Sequence, residues 1–290
     1  MEIENSKTRE LLEKALDAEL RTSFRYQMIA GMARKENLPY VADLYEAIAR
    51  NELEHATHEF AYLGGMGDIR EEISHSIRGE AEEAESSYPD AAGVAEEEGL
   101  MDVAAFFHRI GTVEARHRDH FRAILEQMEE GREPEGRTVG NSLVEMARVM
   151  QPEQANSAGF IHGGELMKLM DDAAAVVAAR HSGTSVVTGS VEEIKFLRPV
   201  RVGDLLIVHG RLTFTSHTSM EVMIEVDSEG IFSEHSRERV PVLSALFVMV
   251  AVDPSGKAVP VPPLIFSTEE EEALYEAGKA RYQSRKQTAG

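Results

Sequence analysis

The sequence predicts two domains, an all-α helical bundle followed by an α+β unit of strands and one long helix. Three observations carry this. First, 290 residues with 42% apolar content suffice for two ordinary cores. Second, helix formers dominate up to about residue 130, with apolar residues recurring at 3.6-residue spacing. Third, the later stretches TSVVTGSVEEIKF, GDLLIVHGRLTF, SMEVMIEV and SALFVMVAV are rich in Val, Ile and Thr and are separated by turn signals such as RPVRVGD, DSEGIFSE and DPSGK. The change falls at GREPEGRTVG, a Gly-, Pro- and charge-rich stretch that reads as a linker. The expected division is therefore 1–130, a linker over 131–140, and 141–290.

Composition narrows the partners. A formal net charge of -21 and a pI near 4.9 argue against nucleic acid and anionic membranes, which both select basic patches. With no Cys there is no disulfide framework, thiolate zinc site, iron–sulfur centre or cysteine nucleophile. The charged start MEIENSKTRELLEK and the lack of any run of about 18–20 apolar residues predict a soluble, cytoplasmic protein.

In the first helix Leu12, Leu16, Glu19, Ser23, Tyr26 and Ala30 share a stripe, so Glu19 stands where a core residue should. In the second, Tyr45, Ile48, Glu52, His55 and Tyr62 share a face, and Glu52 and His55 form a Glu-x-x-His pair whose side chains project together. A third helix, from Ile69 to about Ser87, turns Ile73, Ile77, Glu80 and either Glu83 or Ala84 inward. A fourth carries Val103, Phe107, Ile110, Glu114, His117, Phe121 and Ile124 on one face, with Glu114 and His117 as a second Glu-x-x-His. Most acids of such a protein are ordinary solvated charges, and Glu54, Glu59, Glu71 and Glu85 are read so. Several ionised carboxylates on buried stripes would each cost several kcal/mol without cations. One Glu from each of two helices with Glu-x-x-His from two others is the pattern of ferritin-like di-metal carboxylate bundles.

The segments AELRTSFRY, ARNELEHATHEFAYLGG, IRGEAEEAESSYP, AEEEG and VEARH resemble the rubrerythrins over roughly the first 125 residues. The resemblance implies a di-iron centre of two iron ions per chain, replaceable by other divalent metals, held by Glu19, Glu52, His55, Glu80, Glu83, Glu114 and His117. It also implies peroxide reduction or redox sensing, with Glu80 exchanging with the first His as the irons change oxidation state. Rubrerythrins usually add a cysteine-ligated rubredoxin domain; this chain has no Cys, so an external electron donor is required.

In the second half Gly163 and Gly164 open the helix GGELMKLMDDAAAVVAARH, where free N–H groups and the helix dipole favour developing negative charge, as on a thioester carbonyl oxygen. Asp171 lies two turns on, beside the apolar stripe of Leu166, Met170, Ala173 and Val177. On the residues alone it is either a catalytic acid or a surface or interface acid, and Asp172 beside it reads as the latter. MQPEQANSAGFIHGGELMKLMD, VVTGSVEEIKFLRPVRVGD, TSMEV, FVMVAVDPSGKAVPVPPL and EEEEALYEAGKARYQSRK are similar to hotdog acyl-CoA thioesterases of the cytosolic, brain-type class and their bacterial relatives, over residues 140–288. The resemblance implies an antiparallel sheet wrapped around the Gly163–Arg180 helix. It gives Asp171 as general base or nucleophile and Asn156 as the residue orienting water or carbonyl, the two coming from different hotdog units. A homodimer or higher multiple, such as a hexamer, follows. The coenzyme A phosphates call for basic residues, with Arg198, Arg201, Arg281 and Lys286 as candidates, while His162, His181 and His217 are read as structural or solvent-facing. Two other readings stay open: a CoA-binding sensor controlling the di-iron domain, and a bundle that only scaffolds. The intact Asn156, Gly163, Gly164 and Asp171 set speaks against the first, the complete ligand set against the second.

Overall fold

The computed structural model describes residues 6–131, 136–230 and 239–288. Helix α1 (Lys7–Lys35) begins where the Ser6 hydroxyl accepts the Arg9 amide, and α2 (Pro39–Tyr62) starts on a proline whose fixed φ suits the first turn. The two form an antiparallel hairpin. Its contact is made of small residues: Ser23, Ala30, Ala33, Ala42, Ala49 and Ala56 are buried, and Ser23 Oγ donates to the Ala49 carbonyl at 2.8 Å. Tyr26 and Tyr45 close it edge to face at 5.4 Å.

A second hairpin follows. Helix α3 (Ile69–Glu82), capped by Asp68, passes through one wide π-turn (Glu83–Ser87) into α4 (Tyr88–Glu97) and returns as α5 (Met101–Glu129). The third helix expected to end near Ser87 thus runs ten residues further, because the wide turn interrupts its periodicity without ending it. Again small residues make the contact: Ala92, Ala95, Ala104 and Gly111 are buried. Packing joins α1 to α2, and α3 and α4 to α5; among the described residues the two hairpins share no extended contact.

Residues 132–135 of the expected linker lie outside the described residues, and its later part is folded. Strand β1 (Arg137–Thr138) pairs with β7 (Leu264–Ile265), and residues 139–142 form a 3-10 turn. The main sheet holds β2 (Val144–Val149), β3 (Ser185–Phe196), β4 (Leu205–Thr215), β5 (Ser219–Glu229) and β6 (Arg239–Val252) in the order β2-β4-β5-β6-β3, all antiparallel. Of the expected turn DSEGIFSE, Asp227, Ser228 and Glu229 instead extend strand β5, paired with β6, and residues 231–234 lie outside the described residues. Helix α6 (Gly163–Ser182) lies in the concave face, with Leu166, Leu169, Met170, Ala173, Val177 and Ala178 buried against Val208, Val222, Ile224 and Phe247.

On the outer face α7 (Glu269–Thr288) crosses β4. Glu221, 1% exposed, receives a two-pronged bond from Arg281 (2.7 and 3.1 Å), one from Thr213 Oγ1 (2.8 Å) and a longer contact from Arg285. Burial alone would raise the Glu221 carboxyl, but these partners hold it below the ordinary value. Gly278 lets the helix come this close: a Cβ there would meet Phe214 Cβ at 2.6 Å and Glu221 Oε1 at 2.9 Å. No helix among the described residues is long and apolar enough to cross a membrane.

Candidate active site and metal centre

The predicted metal ligands gather in two groups, one on each hairpin. On the first, His55 Nδ1 lies 3.0 Å from Glu52 Oε2 and 3.8 Å from Glu19 Oε1. On the second, His117 Nδ1 lies 2.8 Å from Glu114 Oε2 and 3.5 Å from Glu80 Oε2. Within each group one ligand atom per residue falls within 4.8 Å of the others, close enough for a shared cation. Partial burial, then the neighbouring Glu52, raises the Glu19 carboxyl; burial, then Glu114, raises that of Glu80. Crowding of like charges of this kind is what a bound divalent metal would relieve. Glu83 stands at the start of the wide turn, near enough to Glu80 for their charges to interact.

Two further features fit a metal. His117 Nε2 is 3.2 Å from the Ser267 carbonyl; that bond makes Nε2 the protonated nitrogen and leaves Nδ1 free to ligate. Glu59, one turn beyond His55, has a buried Oε2 without a hydrogen-bond partner and carries a charge that Glu19 senses. It is therefore not the ordinary solvated acid that the sequence suggests, and its place seven residues after Glu52 puts it on the ligand face. Tyr88 also faces the second group: burial, then the charges of Glu83, Glu114 and Glu80, push its phenol up.

In the second half the loop before α6 is tied by Asn156, whose Oδ1 accepts the amides of Ala158 (3.0 Å) and Phe160 (3.2 Å). Asp171, half-buried on α6, accepts a 2.5 Å bond from Thr188 Oγ1 on β3, while Asp172 points to solvent. Thr188 escaped the sequence reading because a Thr inside a Val-rich run looks like any strand former. Beside the start of α6 opens a cavity of about 320 Å³ lined by Phe160, Ile161, Gly163, Leu166, Phe196 and Arg198 among others. Gly164 faces open space, and the exposed Arg201 guanidinium lies 5.9 Å from the Phe160 ring centre.

The family model described as Rubrerythrin matches residues 10–125 and again 71–165, and that described as Thioesterase superfamily matches residues 158–231. The chain belongs to the rubrerythrins and carries a thioesterase-superfamily hotdog domain. The hotdog half is similar to the cytosolic acyl coenzyme A thioester hydrolase of Rattus norvegicus, 42% identical over 149 residues that make up 51% of this chain and 39% of that relative. The chain thus matches about two fifths of that relative's length. It is also similar to the acyl-CoA thioester hydrolase YciA of Salmonella typhimurium, 39% identical over 129 residues, 44% of this chain and 92% of the relative. A crystal structure of an apo-hexameric acyl-CoA thioesterase matches with a TM-score of 0.50 and 37% identity, covering 53% of this chain and 97% of that one.

Not every expected basic residue of this hotdog reaches the cavity. Arg198 lines it and Arg201 stands at Phe160, but Arg281 is committed to the buried Glu221, and Lys286 lies over the Tyr282 ring at 4.9 Å on α7. The reason is helical phase: positions 281 and 285 face the sheet, where Glu221 waits, and a charge pattern alone does not show which face that is. His181 is fully buried and bonds the Pro262 carbonyl, while His162 and His217 are exposed.

Proposed function

We propose that the hotdog half hydrolyses acyl-CoA thioesters and that the helical half holds two iron ions. Asp171 activates the water, the Gly163–Gly164 helix start polarises the thioester carbonyl, and the cavity beside it takes the acyl end, with Arg198 and Arg201 toward the coenzyme A phosphates. The observation that carries the reading is the short Thr188–Asp171 bond, which fixes one oxygen of the acid. Relatives named as acyl-CoA thioester hydrolases support it.

Asp171 stands seven residues from Gly164, about 10 Å along the helix, too far for one water to bridge acid and carbonyl site of a single chain. A second hotdog brings them together. Strand β3 lies at the edge of the sheet with Val187, Ile194 and Phe196 exposed, an unpaired edge suited to pairing with another copy. In such a pair Asn156 of one unit works with Asp171 of the other, and the similar hexameric thioesterase supports a multiple of that pair.

In the helical half Glu19, Glu52, His55, Glu80, Glu83, Glu114 and His117 would hold the metal, with Glu59 beside them. Bound iron would supply redox chemistry toward peroxide, with electrons from an external donor.

Asp171→Asn should lower kcat for acyl-CoA hydrolysis by about 100-fold with little change in coenzyme A affinity, the scale of a positioned general base. Asp172→Ala should change kcat by less than about threefold, since its side chain points about 100° around the helix. Equal loss in both, or loss only in Asp172→Ala, overturns the assignment.

A further inference from the structure

The two hairpins are near copies of one another. Glu19, Glu52 and His55 recur as Glu80, Glu114 and His117, offset by 61, 62 and 62 positions, and the rubrerythrin model itself matches from residue 10 and again from residue 71. Each copy carries half of a ligand set. Each also carries an uncovered apolar face on its ligand side: Leu44 (49% exposed) and Ile48 (37%) on the first, Val103 and Phe106 on the second. Something must lie on these faces for the half-sets to become one centre.

The length of the chain between the hairpins decides what. In ferritin-like bundles the second and third helices run parallel and are joined by a long crossover. Here the ligands stand seven to ten residues before the end of α2 at Tyr62, and Glu80 stands eleven residues after the start of α3 at Ile69. With parallel helices those distances add to about 27–32 Å along the axis, before a lateral step of about 8–10 Å. Residues 63–68 stretched to their limit reach about 25 Å. They are not stretched: Gly64 and Gly65 adopt φ of +122° and +61°, and the amides of residues 63–65 bond back to the carbonyls of Glu59, Phe60 and Ala61.

We infer that the α1–α2 hairpin closes onto the α3–α5 hairpin of a second copy of this chain, so that each metal centre is assembled from Glu19, Glu52 and His55 of one chain and Glu80, Glu114 and His117 of another. The occupant of each apolar face is then the complementary hairpin of the same protein, which supplies both the missing ligands and the cover. This rests on reading these residues as metal ligands. The turn does allow one other closure, α3 returning antiparallel beside α2 within the chain, which gives an up-down-up-down bundle without a crossover.

The test pairs two full-length variants, Glu52→Ala/His55→Ala and Glu114→Ala/His117→Ala, expressed separately and together with iron and assayed for bound iron by elemental analysis. Each alone should bind no metal pair. Together they should recover about a quarter of the wild-type iron, because random exchange places two intact hairpins in one bundle of four. No recovery, with wild-type protein loaded, means closure within the chain and overturns the inference. Half the wild-type iron in either variant alone means that each hairpin pairs with its own kind, and overturns it too.

A second measurement is independent of metal. In this Cys-free chain Glu52→Cys and Glu114→Cys are combined and treated with a short bis-maleimide. Covalent dimers, absent from the two single-Cys variants, support exchange, and an internally linked monomer overturns it. Iron-free wild-type protein together with covalent dimers of the double-Cys variant would sink the metal reading and leave the exchange standing.

Discussion

The two halves of the molecule bury different things. Around α6 the hotdog encloses large side chains, among them Phe247, Met170, Leu212, Met220 and Leu243, none more than 1% exposed. Fully burying such a side chain stabilises by about 1.5–3 kcal/mol, so this core stands on its own contacts. The helical half buries alanines, one serine and one glycine, while Phe24, Met28, Leu53 and Phe106 stay outside and carboxylates occupy the middle of its stripes. One half is a closed core; the other is a pair of layers with open apolar faces and with acids grouped closely enough to share cations.

The sharpest way to break this contrast is to remove the cations. Stripping metal with a chelator should lower the melting transition of the helical half by about 10 °C or more and leave the hotdog transition in place, as ligand linkage requires. Calorimetry with and without added Fe(II) checks it, and a common shift of both transitions would show that the halves do not differ in this respect.

A smaller effect is expected in the hotdog. Glu221→Gln removes the charge facing Arg281 and Arg285 and should destabilise that half by about 3 kcal/mol, read from urea unfolding. Because the Glu221 carboxyl is held below its unfolded value, its contribution is fully present above the unfolded pKa of about 4.5 and is lost as pH falls through the lower folded value. The difference between wild type and Glu221→Gln should therefore shrink on acidification below about pH 4.5; a difference that grows there contradicts the clamp.

Leu44→Ser comes next. On an open face it should change stability by less than about 0.5 kcal/mol; under a second hairpin it should cost about 1.5–3 kcal/mol in the first melting transition. The larger value is expected. Smallest of all, Lys286→Ala should raise KM for acyl-CoA by about twofold or less, the scale of one exposed charge.

Much of this was written locally. Helices and strands followed from periods of 3.6 and 2, and Glu52, His55, Glu114 and His117 stood out because acids and imidazoles interrupted apolar stripes. What could not be read depended on distant partners. Arg281 looked like any helical cation until Glu221, sixty positions away on β5, proved to be beneath it. Thr188 acquires meaning only when β3 lies beside α6. The separation of the hairpins was legible in principle, since the brevity of LGGMGD is a sequence fact, but periodicity finds helices without saying how they are joined.

The wide turn at Glu83–Ser87 has a consequence for phase. A regular α-helix advances 100° per residue, so Tyr88 would stand about 80° around from Glu80. A π-turn takes up one extra residue, bringing Tyr88 back to within about 20° of the Glu80 stripe, which is where it meets Phe107 at 6.1 Å and senses Glu80, Glu83 and Glu114. The turn is thus a single-residue insertion absorbed without breaking the helix. Deleting one residue, Glu85, should convert it to regular α-helix with Tyr88 seven positions after Glu80, still within about 20° of its stripe. Circular dichroism would hardly change, and the phenol's titration, followed by ultraviolet difference spectroscopy, should keep the influence of the three carboxylates, whereas its loss would show that the turn does not set the phase.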